Sequence, residues 1–380
     1  MTEACDPCLR RAYLIGRLAA PIAGLLDHPR RRASGLLALP EEHLIAAVAG
    51  EDADDVRFFL DAFDPVAARE LLTGASVHAM CRHATVYPES LLALGDPPAV
   101  LFVAGACREL ARLGPEPAAV ALVGTRNPSP YGLEMAYELG RGLGAAGVTV
   151  ISGLALGIDA AAHRGCVDAG GPAVAVLAGG PDVPYPRSNR RLYQRVLAGG
   201  AIVSEMPPGQ RAYRWSFPAR NRIMAGLASI TVVVEAADPS GSLITSVFAG
   251  DLGRTVAAVP GRVTSRYSAG SNRLLGDGAR MVTCAQDLLD ELYGVGWQGP
   301  DRVAVPPGLQ ARPARSGGEG LGPLEERVLD ALEAGLDIDG VCAHSGLPAR
   351  EARALLSRLE ASGHLRRDSL GTYRRAAAFG

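Results

Sequence analysis

Lysine is absent from this sequence of 380 residues, and all 38 basic residues are arginine. Every positive charge is therefore permanent near neutral pH and fork-shaped, suited to bidentate pairing with phosphate or carboxylate. A charge excess is absent too. The arginines face 40 acids for a formal net charge of −2, so no general affinity for polyanions follows. Any nucleic-acid site must be a local patch. No apolar run reaches the ~18 residues that a membrane-spanning helix requires. The first residues, MTEACDPCLRR, lack the basic flank and apolar core of a signal peptide. The cysteine count is odd, at seven, with no secretory context, which points to a reducing cytoplasm. GxxxxGK[ST] is missing, which excludes a P-loop ATPase. GxGxxG followed about 20 residues later by a ribose-binding acid is missing as well, which disfavours dinucleotide binding.

What is present is a folded chain. Hydrophobic content of 48% and charged content of 21% are those of globular proteins, and the length calls for two or three domains. Residues 1–85 read as a small helical domain of the SAM or helix-hairpin-helix kind. Apolar positions recur at helical spacing in Leu9–Leu26, acids open a helix at Pro40–Glu42, and a third helix follows at Asp52–Phe63. Residues 87–105 are Pro-rich and then apolar, read as a linker and an edge strand.

From Ala118 short apolar strands alternate with helix-length segments. The strands are Ala118–Val123, Val148–Ile151, Ala173–Leu177, Ala201–Val203, Ile230–Val234 and Thr255–Val259. This predicts an α/β domain over 86–295 with a parallel, Rossmann-like sheet covered on both faces. Residues 296–320 are rich in Pro, Gly and Arg, and read as a linker. Three short helical segments and a strand pair in 321–380 make a winged-helix pattern. Its third helix and wing hold seven Arg against three acids, yet 321–375 as a whole is nearly neutral. It could bind duplex DNA or another protein.

Parallel sheets bind ligands at the carboxyl ends of their strands. The first strand ends in Val123–Asn127, where Gly124 lets backbone amides approach an anion and Arg126 adds a charge. The second ends in Ser152, Gly153 and a helix start, with Asp159 and His163 four apart on one helical face. That pair reads as an acid–base couple or as a buttress for the loop, and no nucleophile sits at a readable spacing. The fifth ends in Glu235–Thr245, offering Ser240, Gly241, Ser242 and Thr245. Just before it runs QRAYRWSFPARNRIMAG (210–226), where Arg211, Arg214, Arg220 and Arg222 interleave with Tyr213, Trp215 and Phe217. No acid occurs between Glu205 and Glu235. Arginine forks and aromatic faces in an acid-free run suit a single-stranded nucleic-acid groove. A solvated loop with half-buried aromatics is the alternative.

CysAspProCys at 5–8 and CysArgHis at 81–83 supply a further constellation. Cys5, Cys8, Cys81 and His83 offer the spacing and donor types of a tetrahedral zinc site. The alternative is an unrelated cysteine pair and a buried thiol.

VGTRNPSPYG (123–132), ISGLALGIDAAAH (151–163), YPRSN (185–189), SEMPPG (204–209), FPARNRIMAGLA (217–228), VVVEAADPSGSLIT (232–245) and VPG (259–261) stand in an order that resembles the DNA-processing protein A, or DprA/Smf, family. The resemblance covers about 87–283. It implies an extended Rossmann fold between an N-terminal helical domain and a C-terminal winged helix. It also implies a protein without catalytic residues or cofactor that binds single-stranded DNA, protects incoming strands in natural transformation and loads the RecA recombinase. Carried over by motif, the DNA-binding groups are Arg126, Arg214, Phe217, Arg220, Asn221 and Arg222. A homodimer through the Rossmann domain is implied too, with Ala249–Arg280 as the expected interface. Two other functions stay open. One is a nucleotide-processing enzyme of the phosphoribohydrolase kind, against which stands the lack of Glu in Ser246–Leu252. The other is a winged-helix regulator with a ligand-sensing Rossmann domain.

Overall fold

The computed structural model describes residues 4–26, 35–105, 110, 119–295 and 297. In the C-terminal part it describes 323–333, 336, 338–348, 351, 352, 355, 356, 359, 365–367 and 373–375. The linker expected at 296–320 lies outside the described residues apart from Trp297. The chain divides into compact units at 1–299 and 300–380.

The first unit is built on one nine-stranded sheet. Its strands are β1 (Val77–Cys81), β2 (Val100–Gly105), β3 (Ala119–Val123), β4 (Thr149–Ser152), β5 (Ala173–Val176), β6 (Ala201–Ser204), β7 (Ile230–Val233), β8 (Thr255–Ala258) and β9 (Arg280–Met281), in the spatial order β1-β2-β6-β5-β4-β3-β7-β8-β9. Strands β3 to β9 are parallel to one another, while β2 is antiparallel to both β6 and β1. Side chains alternate between the two faces with the period of two that a strand imposes. Val120 and Leu122 join one core, and Ala119, Ala121 and Val123 join the other. Both faces are apolar because helices cover both.

Two details differ from the sequence-based expectation. The apolar stretch before Gly105 forms β2, but it is not the edge. That place belongs to β1, inside the stretch read as helical, which pairs with β2 from Val77 opposite Ala104 to Cys81 opposite Val100. The other edge is β9, whose two residues are too short for a hydrophobic period to be read.

Helix 130–145 packs against helix 158–168 at a distance that only glycine permits. A Cβ at Gly140 would stand 2.2 Å from the Ala162 carbonyl oxygen, and one at Gly165 would stand 2.0 Å from that of Tyr137. The N-terminal helices Asp6–Arg17, Ala19–Leu26, Glu41–Val48, Ala53–Asp61 and Pro65–Gly74 pack on the sheet domain. Leu14, Leu18, Ile22 and Leu44 share a core with Met206, Trp215 and Ala219. The Trp215 indole N–H donates to the Ala19 carbonyl at 2.9 Å.

The second unit is a winged helix. Helices Pro323–Glu333 and Ile338–Ser345 share a core of Val328, Leu329, Val341, Leu355, Leu356, Leu359 and Leu365. The wing is the antiparallel pair Leu365–Arg367 and Tyr373–Arg375.

Candidate nucleic-acid interface

Strands β3 to β6 are laid down in one direction across the sheet and β7 to β9 in the other, so the order reverses between β3 and β7. Parallel sheets open a crevice at such a point, beyond the carboxyl ends of the strands. Here the loops on either side are stitched together. The Thr125 amide donates to the Glu235 carbonyl at 2.7 Å. The Glu235 carboxylate accepts from both the amide and the hydroxyl of Ser129, each at 2.7 Å. Ser129 also caps helix 130–145 through the Gly132 amide, with Pro130 at the position where a missing N–H costs nothing. On the other side the Ile158 amide donates to the Thr125 carbonyl at 3.2 Å. Glu235, absent from the sequence-based site, is thus what fixes the loop carrying Arg126.

Arg126 emerges from this fixed loop into solvent. Its guanidinium carbon stands 4.7 Å from the centroid of the Phe217 ring. Phe217, half-buried in the first turn of helix Ser216–Leu227, has the Tyr185 ring 5.4 Å away on another loop. Tyr185 is 49% exposed. One guanidinium and two aromatic rings therefore converge from three separate segments, and no carboxylate lies within ion-pair distance of Arg126 among the described residues. Tyr185 opens the YPRSN motif at 185–189. The segment after it exposes Arg187, Arg190 and Arg191, and no acid occurs from 183 to 204.

The other expected arginines divide sharply. Arg214 is exposed and lines a groove of 1410 Å³ together with Arg211 and Tyr213. The Arg211 guanidinium lies 4.8 Å from the Tyr213 ring. Arg220 and Arg222 reach the carboxyl edge of the sheet from beneath it. Arg220 is 6% exposed and donates to the Gly153 carbonyl at 2.6 Å and to the Val176 carbonyl, with the Asp159 carboxylate 3.7 Å away. Burial lowers its pKa to about 10, with Asp159 opposing. Burial likewise raises the Asp159 carboxyl, and Arg220 and the Ala155 and Gly153 amides oppose it. Arg222 is 1% exposed and makes a two-pronged pair with Glu205 at 2.9 and 2.7 Å, while its Nε donates to Asp96 at 2.9 Å. Burial alone would lower its pKa, but Glu205 and Asp96 outweigh burial and hold it above its ordinary value. Both were expected to face phosphates, and the structure places both side chains inside the fold. Arg222 gives its donors to Glu205, Asp96 and the Ala219 carbonyl. Arg220 gives Nη atoms to the Gly153 and Val176 carbonyls and Asp159, while its Nε is buried without a partner among the described residues.

The remaining expected groups divide in the same way. Ser152 is fully buried, its hydroxyl donating to the Leu122 carbonyl at 2.6 Å. Gly153 holds Arg220 through its carbonyl and Asp159 through its amide. Asn221 is 9% exposed and donates to the Gly241 carbonyl at 3.3 Å, so it shapes the loop after β7. Thr245 is fully buried in helix Leu243–Asp251. Gly124, Ser240, Gly241 and Ser242 do reach solvent, with the two serine hydroxyls 2.8 Å apart. Trp215 and Tyr213 belong to the core shared with the N-terminal helices, so of the three interleaved aromatics only Phe217 faces the crevice.

Asp159 and His163 share a helix but not a solvent-facing site, both being at least 95% buried. Asp159 buttresses the loop after β4 through the Gly153 and Ala155 amides. Cys5, Cys8, Cys81 and His83 come together at the opposite edge strand, with their donor atoms all within 4.8 Å of one another.

The sequence matches the family described as DNA recombination-mediator protein A over residues 78–293, and the DprA winged helix domain over 312–369. It is 39% identical over 206 residues to the DNA processing protein DprA of Bacillus subtilis, covering 54% of this chain and 68% of that one. The solved structure of DNA processing protein A from Streptococcus pneumoniae is similar with a TM-score of 0.58 at 30% identity, over 75% of this chain and 95% of that one. A structure of DNA processing protein A from Helicobacter pylori, solved for its single-stranded DNA binding mode, is similar with a TM-score of 0.50 at 29% identity. It covers 54% of this chain and 92% of that one.

Proposed function

The chain belongs to the DprA/Smf family of DNA-processing, recombination-mediator proteins, and from that premise we propose that it binds single-stranded DNA without catalysing a reaction on it. In this reading it protects incoming strands during natural transformation and loads the RecA recombinase onto them. The observation that carries the proposal is the Arg126–Phe217–Tyr185 cluster at the point where the strand order reverses. Stacking on aromatic faces and phosphate pairing with arginine are the two interactions that a sequence-tolerant single-strand groove combines. The exposed Arg187, Arg190 and Arg191 extend the path of the strand beyond Tyr185. Arg214 and the serine hydroxyls of the loop after β7 flank it.

Arg220, Asn221 and Arg222 serve the same site by shaping the loops that carry its contacts. No Glu occurs in Ser246–Leu252 of the adjacent helix and its C-cap, which counts against the phosphoribohydrolase reading. A homodimer is part of the proposal, with Ala249–Arg280 beside the exposed edge strand β9 as the interface. We place the chain's work in a reducing cytoplasm on the odd cysteine count alone, and among the described residues no helix is long and apolar enough to cross a membrane.

The test is a salt titration of binding to single-stranded and duplex DNA. The proposal expects tighter binding to the single strand and a log–log slope that steepens with each phosphate contact. Sequence-specific preference for duplex would favour the winged-helix regulator instead, and release of base from nucleoside monophosphates would favour the enzyme. A mass independent of concentration and equal to one chain by light scattering would rule out the dimer.

A further inference from the structure

Three thiols and an imidazole meet where the first helix touches the edge strand. Cys5 is the residue before helix Asp6–Arg17, and Cys8 lies in its first turn. Cys81 ends β1, and His83 follows two residues later. The His83 Nδ1 atom is 3.5 Å from Cys5 Sγ and 3.3 Å from Cys8 Sγ, and Cys5 Sγ is 3.8 Å from Cys81 Sγ. A tetrahedral zinc with Zn–S bonds of about 2.3 Å and a Zn–N bond of about 2.0 Å sets its sulfurs about 3.8 Å apart and nitrogen about 3.5 Å from sulfur. All four donor atoms lie within 4.8 Å of one another, and these three separations match that tetrahedron. They are far longer than the S–S bond of about 2.05 Å in a disulfide.

Three further observations point to a metal. Cysteines packed merely as small apolar side chains give no reason for an exposed imidazole to turn its Nδ1 onto two of them. The Cys5 amide donates to Cys81 Sγ at 3.4 Å, the kind of outer hydrogen bond that supports a thiolate ligand. Cys5 and Cys8 also stand three residues apart at the start of one helix, so both thiols leave the same turn and meet Cys81 and His83 within 4.8 Å.

We propose that Cys5, Cys8, Cys81 and His83 bind one zinc ion as a closed structural site that clips the N-terminal helix to the edge of the sheet. Three soft thiolates and a borderline imidazole, with no carboxylate among them, select zinc over calcium or magnesium. Four protein ligands leave no open position, so the site is structural and not catalytic. Its two halves lie far apart in the sequence, one on the helix that packs on the other N-terminal helices and one on the strand that pairs with β2. Binding free energy at such a site becomes folding free energy for the elements it joins. The site stands apart from the DNA-binding reading and does not depend on it.

The experiment uses the full chain purified without chelator. Elemental analysis is expected to find about one zinc per chain. Replacement by cobalt(II) alone is expected to give thiolate-to-metal absorption together with the visible bands of tetrahedral coordination. His83→Ala, which removes only an exposed ring, is expected to weaken zinc binding by more than about 100-fold, the upper end of what losing a mere outer partner costs. Cys8→Ser is expected to abolish the cobalt–thiolate absorption. A chelator is expected to lower the melting temperature of the wild-type chain and to leave that of Cys8→Ser unmoved. Wild-type chain that gives no cobalt–thiolate absorption, that carries iron in place of zinc, or that yields a Cys5–Cys81 disulfide by mass spectrometry overturns the proposal. So does His83→Ala with wild-type zinc affinity.

Discussion

The Arg126 guanidinium lies over the ring of Phe217, 4.7 Å from its centroid, although one residue follows β3 and the other opens the helix before β7. The contact joins the two sides of the crevice, because β3 and β7 are neighbours in the sheet. It holds the arginine by its flat face and leaves its edge donors for a phosphate.

Arg126→Ala is therefore expected to weaken single-strand binding and to reduce the salt slope by roughly 0.7, the value for one phosphate contact on a single strand. Phe217→Ala is expected to cost about 1–3 kcal/mol of binding through lost base stacking. It should also loosen Arg126, so the double variant loses less than the sum of the two. Fluorescence anisotropy on labelled oligonucleotides at several salt concentrations checks both. Folded variants that bind at wild-type strength would remove these residues from the site.

Arg222→Ala is expected to act on stability first. It strips the partner from Glu205 and Asp96, both near-buried carboxylates, and breaking a buried pair in this way costs about 3–5 kcal/mol. Urea unfolding measures that loss. The folded fraction should keep the wild-type salt slope, because the guanidinium makes no contact with solvent at 1% exposure. A change in slope without a change in stability would return Arg222 to the DNA surface.

His163 gives a pH dependence with a definite sign. Burial lowers its pKa from 6.5 to about 4, partly opposed by the Ser152 backbone and reinforced by Arg220. Between those values the unfolded chain binds the proton and the folded chain does not, so stability falls as pH drops from 6.5 to about 4. Above 6.5 the imidazole is neutral in both states and the contribution is fully present. The total is roughly 3 kcal/mol for a shift of this size. His163→Leu is expected to flatten the melting-temperature profile in that window relative to wild type. Parallel profiles for the two proteins would show that His163 is not its source.

The parallel sheet was legible because each of its main strands is a short apolar run between helix-length segments, and runs of that kind have few other folds open to them. The edge strand β1 was hidden because VHAMC follows a helix directly and carries no alternation of its own. It becomes a strand only by pairing with β2. The burial of Arg220 and Arg222 was hidden for a related reason. An arginine in a basic, acid-free run looks solvated, and its burial depends on Asp159, Glu205, Asp96 and two carbonyls supplied by distant segments. Glu235 left no signal beyond its place after an apolar strand. Arg126 was legible, since a strand end with Gly124 beside it is where a parallel sheet exposes charge.

Gly153 and Arg220 offer the sharpest test of how the crevice is built. A Cβ at Gly153 would lie 1.9 Å from an Arg220 Nη atom and 2.1 Å from its Cζ, well inside contact distance. The guanidinium cannot retreat at small cost, because it is held by the Gly153 and Val176 carbonyls and faces Asp159 at 93% or more burial of both side chains. Gly153→Ala is thus expected to force the guanidinium off these partners and to destabilise the domain by about 2–5 kcal/mol, the range for losing charged hydrogen bonds and unpairing a buried carboxylate. Arg220→Ala vacates the space the new methyl group needs while imposing the same loss of partners. The two changes in one chain should therefore cost less than their sum, with a coupling of about 0.5–3 kcal/mol. Denaturant titration of wild type, both single variants and the double variant measures it. Strict additivity would mean that the methyl group is accommodated by a backbone shift, and that Arg220 is not what keeps residue 153 a glycine.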